Sequence, residues 1–144
     1  MSIQAALPIT LNMINNNKPY YLFFSLIPEI GPQKIDHLRR YFKDLKNAYE
    51  ARFYDLKKCG LEEKIVHEII KKKNEVDLET EMARLEKEKI NLVTLEEENY
   101  PRLLKEIYSP PPLLYYQGEL INPNEFPIAV VGTRKPTSYG RLAA

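Results

Sequence analysis

The residues best suited to chemistry lie near the end of the chain, in the run Ile128-Ala129-Val130-Val131-Gly132-Thr133-Arg134-Lys135-Pro136-Thr137-Ser138-Tyr139-Gly140. Four consecutive apolar residues are the pattern of a parallel strand buried on both faces. Such a strand would deliver its end to Gly132, where the missing side chain lets a ligand approach the backbone. Arg134 carries a planar guanidinium that suits phosphate, Lys135 adds a second positive charge, and Thr133, Thr137 and Ser138 offer hydroxyls. A helix beginning at Ser138 or Tyr139 would turn its N-terminal N–H groups toward the same crevice, the expected ligand position in an open α/β sheet. The chemistry expected is the binding of an anion, phosphate above all. A dinucleotide fingerprint needs three closely set glycines, yet the next glycine after Gly132 is Gly140. A phosphate-binding P-loop needs Gly-Lys-Ser/Thr, yet Gly140 is followed by Arg141-Leu142.

A weaker candidate is Ile30-Gly31-Pro32-Gln33-Lys34-Ile35, a turn between two helices of helix-hairpin-helix character. Gly31 could expose main-chain donors at a helix start and Lys34 could add charge. Glu29 stands where that motif usually has a glycine, beside the phosphate to be held, so a supporting role for the helices is the stronger expectation. No catalytic constellation emerges, and the chain reads as non-enzymatic. His37 and His67 are single imidazoles on charged helices and read as surface residues, and Glu96, Glu97 and Glu98 as a solvated loop. Tyr100, Tyr115 and Tyr116 read as packing residues before base-stacking ones. The single Cys59 excludes an internal disulfide and has no metal-ligand cluster around it, so neither metal nor cofactor is expected.

Positioning these residues requires two kinds of structure. Residues 1–17 read as a flexible lead with neither signal peptide nor membrane span, which with the lone cysteine suits a cytoplasmic protein. Residues 18–74 read as a small helical domain. A helix from Pro19 is stopped by Pro28, and another opened by Gly31-Pro32 turns Ile35, Leu38, Tyr41 and Phe42 inward. A third over Leu45–Phe53 contributes little to the core. Asp55 caps a turn ended by Gly60, and a helix through Leu61, Ile65, Ile69 and Ile70 runs into Lys71-Lys72-Lys73. Residues 75–144 read as the first part of an α/β domain, with an acidic helix capped by Asp77, strands at Ile90–Leu95 and Leu113–Tyr116, and a helix from Pro101 between them. The net charge of +1 conceals a division: residues 31–73 hold 12 Lys/Arg against 7 Asp/Glu, and residues 74–107 hold 5 against 10.

Several of these residues together resemble the DprA (DNA-processing, Smf-like) family. Tyr100-Pro101-Arg102-Leu103-Leu104, Pro110-Pro111-Pro112-Leu113-Leu114-Tyr115, Gly118-Glu119-Leu120 and Val130-Val131-Gly132-Thr133-Arg134, with Thr137 and Tyr139-Gly140, follow that family's YPxLL, DPPxxLY, GxL and VGSRxxT-YG succession in order and spacing. The segment from Tyr20 to Lys73 resembles the helix-hairpin-helix or SAM-like domain that many members carry in front. The resemblance implies an extended Rossmann domain that binds single-stranded DNA, loads the RecA recombinase in natural transformation, and dimerises in its full-length form. It implies DNA-backbone contacts at Gly132, Thr133, Arg134, Thr137, Ser138, Tyr139 and Gly140; the cationic Lys135 is counted with them, and Gly31 and Lys34 at the hairpin turn are weak candidates from their own residues. Thr133 replaces the usual Ser and keeps its hydroxyl; Ser109 replaces the usual acid before the prolines. Members continue for well over a hundred residues past the position of Gly140, so the 144-residue chain alone is expected to bind DNA weakly or not at all. Two alternatives stand: a nucleotide-processing enzyme of the LOG phosphoribohydrolase type, needing a downstream Gly-rich segment and catalytic Glu, and a helical module docking a partner through Tyr20, Tyr21 and Phe24.

Overall fold

Pro19 stands in the first turn of helix α1 (Lys18–Ser25), where its missing N–H interrupts no helical bond, and four successive side chains of this helix, Tyr21 to Phe24, are buried. The computed structural model describes residues 17–120 and 131–143. α1 stops at Ser25, whose hydroxyl donates to the Leu22 carbonyl at 2.7 Å, before Pro28 is reached. A helix buried on nearly every side is a core element, and the others wrap it. Tyr21 and Phe24 therefore have no surface to dock a partner with, and Tyr20 is turned against Tyr49 with ring centroids 5.4 Å apart. The docking role considered for these three side chains is corrected accordingly.

α2 (Pro32–Phe42) opens on Gly31 in extended conformation and buries Ile35 and Leu38. Tyr41, expected on the same inner face, is 49% exposed. At about 100° per residue it lies roughly 120° around the helix from Ile35, whereas Phe42 returns to within about 20° and is half-buried. α3 (Leu45–Glu50) is capped by Asp44, whose carboxylate accepts from the Lys46 N–H at 2.9 Å. It was expected to reach Phe53 and to contribute little. Instead the chain extends at Ala51 (ψ 144°) and Arg52 (ψ 165°), while Leu45 and Ala48 are fully buried. The Ala51 carbonyl, released from the helix, accepts from Lys73 Nζ at 2.8 Å. Burial lowers the Lys73 pKa, and its ammonium also lies 5.4 Å from the centre of the Tyr49 ring.

α4 (Phe53–Lys58) begins earlier than expected, so Asp55 sits inside its first turn and caps nothing. Gly60, at φ +91°, ends that segment before α5 (Glu63–Glu75). A Cβ added at Gly60 meets nothing within 4 Å, so the obstacle to substitution there is backbone conformation alone. Gly60→Ala is expected to cost about 1–2 kcal/mol in urea unfolding. At Gly31, where φ is −85° and space is equally open, the same change should be close to neutral.

α6 (Leu78–Lys87) is capped by Asp77, which accepts from the Glu79 N–H; this bond and the stronger one from the Thr80 hydroxyl hold the Asp77 carboxyl below its usual pKa. Lys89, at φ 56°, turns the chain into β1 (Asn91–Thr94). β1 pairs antiparallel with β2 (Leu113–Tyr116) in the register Asn91↔Tyr116 to Thr94↔Leu113. Between them α7 (Arg102–Lys105) is a single turn, with Leu103 and Ile107 half-exposed. Leu85, Leu92 and Leu113 belong to the same apolar cluster as Phe23, Leu38 and Ile69, so the core runs without a break across the expected boundary at residue 74. The described residues are thus mostly helical, with a two-stranded sheet packed against them.

The buried strand expected at Ile128–Val131 falls outside the described residues except for Val131. Val131 belongs to no strand and is 90% exposed. A strand is buried by neighbours on both edges and layers on both faces. The described sheet is only β1 and β2, paired with each other, and gives Val131 no such neighbour. Residues 1–16 and the connection over 121–127 also lie outside the described residues.

Candidate nucleic-acid interface

The segment 131–143 carries three cations, Arg134, Lys135 and Arg141, and no carboxylate. Its fold is local. The Lys135 N–H donates to Thr133 Oγ1 at 3.3 Å, closing a small turn around Arg134. Thr137 is the N-cap of α8 (Ser138–Ala143): its Oγ1 accepts from the Gly140 N–H at 3.1 Å, and its carbonyl accepts from the Arg141 N–H at 3.1 Å. α8 is one and a half turns long, and these bonds consume the main-chain donors at its third and fourth positions.

Gly132, Thr133, Arg134, Lys135, Thr137, Ser138 and Tyr139 are all exposed, and Gly140 is half-buried. Neither Arg134 nor Lys135 is engaged in an ion pair among the described residues, which leaves both for an external anion. A Cβ placed on Gly132 would meet no described atom within 4 Å. The bare backbone there is not demanded by packing. At Gly140 a Cβ would make ordinary contact with Thr137 Oγ1 at 3.5 Å. The hydroxyls of Thr133 and Thr137 accept main-chain bonds and retain their own O–H for donation.

Gly31 is exposed and Lys34 is half-buried, with the exposed Glu29 two residues before the turn. Ile27, Ile30 and Ile35, the apolar residues of this hairpin, are all buried in the core. The two glycines singled out in the sequence therefore sit in different settings: Gly31 on a core-forming hairpin, Gly132 on an open, wholly cationic segment.

One expectation for charged residues is corrected. Glu96 and Glu97 do not form a solvated run. Glu96 accepts from Arg39 Nη1 at 2.8 Å; Glu97 pairs with Lys18 at 2.9 Å and accepts from the Thr94 N–H at 2.8 Å. The loop after β1 is thereby tied to α1 and α2. Burial, and then the Glu96 charge, raise the Tyr21 pKa, while hydrogen bonds from Arg39 and Arg40 hold Asp36 below its ordinary value. The local part of this network, Asp36 with Arg39 and Arg40 at spacings of three and four, is legible as helix pairing. Its link to Glu96, 57 residues away from Arg39, carries no sequence signal.

His37 is exposed, in line with its reading as a surface residue, and its Nε2 lies 2.6 Å from the Cys59 carbonyl. Cys59 is buried and its thiol pKa is raised by that burial, which makes it a poor nucleophile. Tyr100 is buried and its hydroxyl donates to the Pro111 carbonyl at 2.8 Å, a packing role. Tyr115 is half-exposed, with its hydroxyl 2.9 Å from that of Ser25. No described helix is long and apolar enough to cross a membrane.

The family model described as DNA recombination-mediator protein A matches residues 91–144, which include the cationic segment. The chain is 34% identical over 133 residues to Protein Smf of Synechocystis sp., an alignment covering 89% of this chain and 33% of that protein. It is 35% identical over 75 residues to DNA processing protein DprA of Bacillus subtilis, covering 48% of this chain and 25% of that protein. The chain thus spans about a third of the length of the first relative. No solved structure matches it. The family match over the strands and the cationic turn, with identity to Smf extending through the helices, shows that the chain belongs to the DprA/Smf family, of which it carries a partial length.

Proposed function

We propose that this chain is part of a DNA-processing protein that holds single-stranded DNA by its phosphate backbone, with Gly132-Thr133-Arg134 as the first contact. One observation carries the reading: Arg134 and Lys135 stand exposed, with no ion pair among the described residues, on a segment with no carboxylate and beside a glycine with open space around it. Arg134 supplies paired N–H donors to phosphate oxygens, Lys135 a second charge, and Thr133, Thr137 and Ser138 hydroxyl donors; Tyr139 is exposed beside them. None of these groups reads a base edge, so recognition is independent of sequence. The relatives' names, DNA recombination-mediator protein A and DNA processing protein DprA, support the same reading.

The remaining parts of the proposal extend to the full-length protein. Residues from about 75 onward begin an extended Rossmann domain, the protein acts in the cytoplasm as a non-enzymatic homodimer, and it delivers the coated strand to a RecA-type recombinase during natural transformation. The test is a fluorescence-anisotropy titration of the full-length protein with labelled oligo-dT, repeated with the strand annealed to oligo-dA. Tight binding of the single strand that weakens steeply with salt is expected. Equal affinity for both forms, or binding indifferent to salt, overturns the reading.

A further inference from the structure

A second feature lies away from the 131–143 segment. Between α2 and the stretch Lys105–Pro112 is a cleft of about 460 Å³, lined among others by Asp36, Arg39, Arg40, Glu96, Lys105 and Tyr108. Its volume falls in the range of sites that hold one small-molecule unit. Tyr108, on its rim, is 97% exposed. A ring so bare contributes almost nothing to folding, and such exposure of a large aromatic is the informative exception.

The ring is nevertheless held on a firm base. Pro110, Pro111 and Pro112 follow it closely and restrict the backbone, and the Tyr100 hydroxyl clamps the Pro111 carbonyl to the core at 2.8 Å. The Leu95 N–H adds a bond to the Pro112 carbonyl at 3.0 Å. The main chain that carries this aromatic therefore gives up little conformational freedom on binding.

The charges in the cleft are three cations and two carboxylates, and the carboxylates are already engaged. Arg39 bridges Asp36 at 2.9 Å and Glu96 at 2.8 Å, and Arg40 Nε holds Asp36 at 2.8 Å. The rest of the Arg40 guanidinium remains open, its side chain being 75% exposed, and Lys105 has no ion pair among the described residues. Two available cations beside a bare ring on an anchored main chain match the repeat of a single strand, in which each base is followed by a phosphate.

We propose that this cleft is a second contact for single-stranded nucleic acid: one base stacks on Tyr108, and the adjoining phosphates meet Lys105 and the outer face of Arg40. This rests on the single-strand reading given above, and adds a stacking contact to a site that otherwise holds only backbone.

The test is photocrosslinking of the full-length protein to an oligonucleotide bearing 5-iododeoxyuridine, with the adduct mapped by peptide mass spectrometry, alongside anisotropy titrations. The expected result is an adduct at Tyr108. Tyr108→Ala should lower affinity about five- to a hundredfold while Tyr108→Trp retains it, because stacking and not the hydroxyl is responsible. The exposure of Tyr108 makes misfolding of these variants no concern. Adducts confined to residues 132–139, with Tyr108→Ala binding normally, would overturn this inference and leave the proposed function standing. Unchanged DNA binding combined with lost recombinase contact in Tyr108→Ala would assign the cleft to a protein and overturn it equally. Absence of any single-strand binding by the native protein removes both proposals together.

Discussion

Phe23→Ala is expected to destabilise the protein by about 3–5 kcal/mol, the cost of emptying a fully packed aromatic site. The side chain is wholly buried, with edge-on ring contacts to Phe24 at 5.2 Å and to Tyr49 at 4.8 Å between centroids. A loss of that size is a large fraction of the roughly 5–15 kcal/mol that holds a typical domain together. Because Leu85, Leu92 and Leu113 share the cluster with Phe23, the helices and the β1–β2 pair should unfold in one step. Urea titration followed by far-UV circular dichroism and by tyrosine emission should give coincident transitions, shifted together by the substitution. Tyr54→Ala is the control: that ring is 71% exposed, and the midpoint should barely move. Two separate transitions, only one of them sensitive to Phe23→Ala, would instead mean that the helical and strand segments have independent cores.

Arg134→Ala carries the largest expected effect on binding. A hydrogen bond to a charged group is worth about 1.5–3 kcal/mol, so losing the guanidinium should weaken single-strand binding by the full-length protein roughly ten- to a hundredfold at moderate salt. Arg134→Lys keeps the charge and loses the fork, and should fall between the two. Thermal stability should be unchanged in both, since Arg134 is exposed and supports no ion pair among the described residues. The contrast between an intact melting temperature and lost affinity separates a binding residue from a structural one. Binding by Arg134→Ala equal to that of the native protein would remove this residue from the interface.

These two predictions draw on information of different kinds. The candidate interface was legible because its residues are contiguous: a glycine, two cations and three hydroxyls within seven positions need no tertiary structure to be seen together. The helix caps at Asp77 and Gly60, the opening prolines at 19 and 32, and both strands were legible for the same reason, each being decided within a few residues. The break at Ala51-Arg52 was not legible. Its carbonyl is satisfied by Lys73, 22 residues later, so the alternative to continuing the helix becomes visible only once α5 is in place. The anchoring of Glu96 and Glu97 was hidden similarly, their partners being on α1 and α2. Tyr108 was passed over while Tyr100 was considered. One is buried and the other bare, although each is followed within two residues by a proline, because only Tyr100 faces the core.

The strand read at Ile128–Val131 lies outside the described residues except for Val131, which belongs to no strand. Four consecutive apolar residues describe a strand that requires neighbours, and the described residues supply none. The proposed anion contact does not depend on that burial, since Arg134 and Lys135 are exposed and the segment 131–143 that carries them has no carboxylate.

Counterion release gives the sharpest view of whether these two cations meet phosphate. Titrating the full-length protein with oligo-dT over a series of salt concentrations yields the slope of log K against log salt, which changes by about 0.7 for each phosphate contact on a single strand. The double variant Arg134→Ala, Lys135→Ala should bind with a slope shallower than the native one by about 1.4. Parallel lines for the two proteins would show that neither side chain touches the DNA backbone.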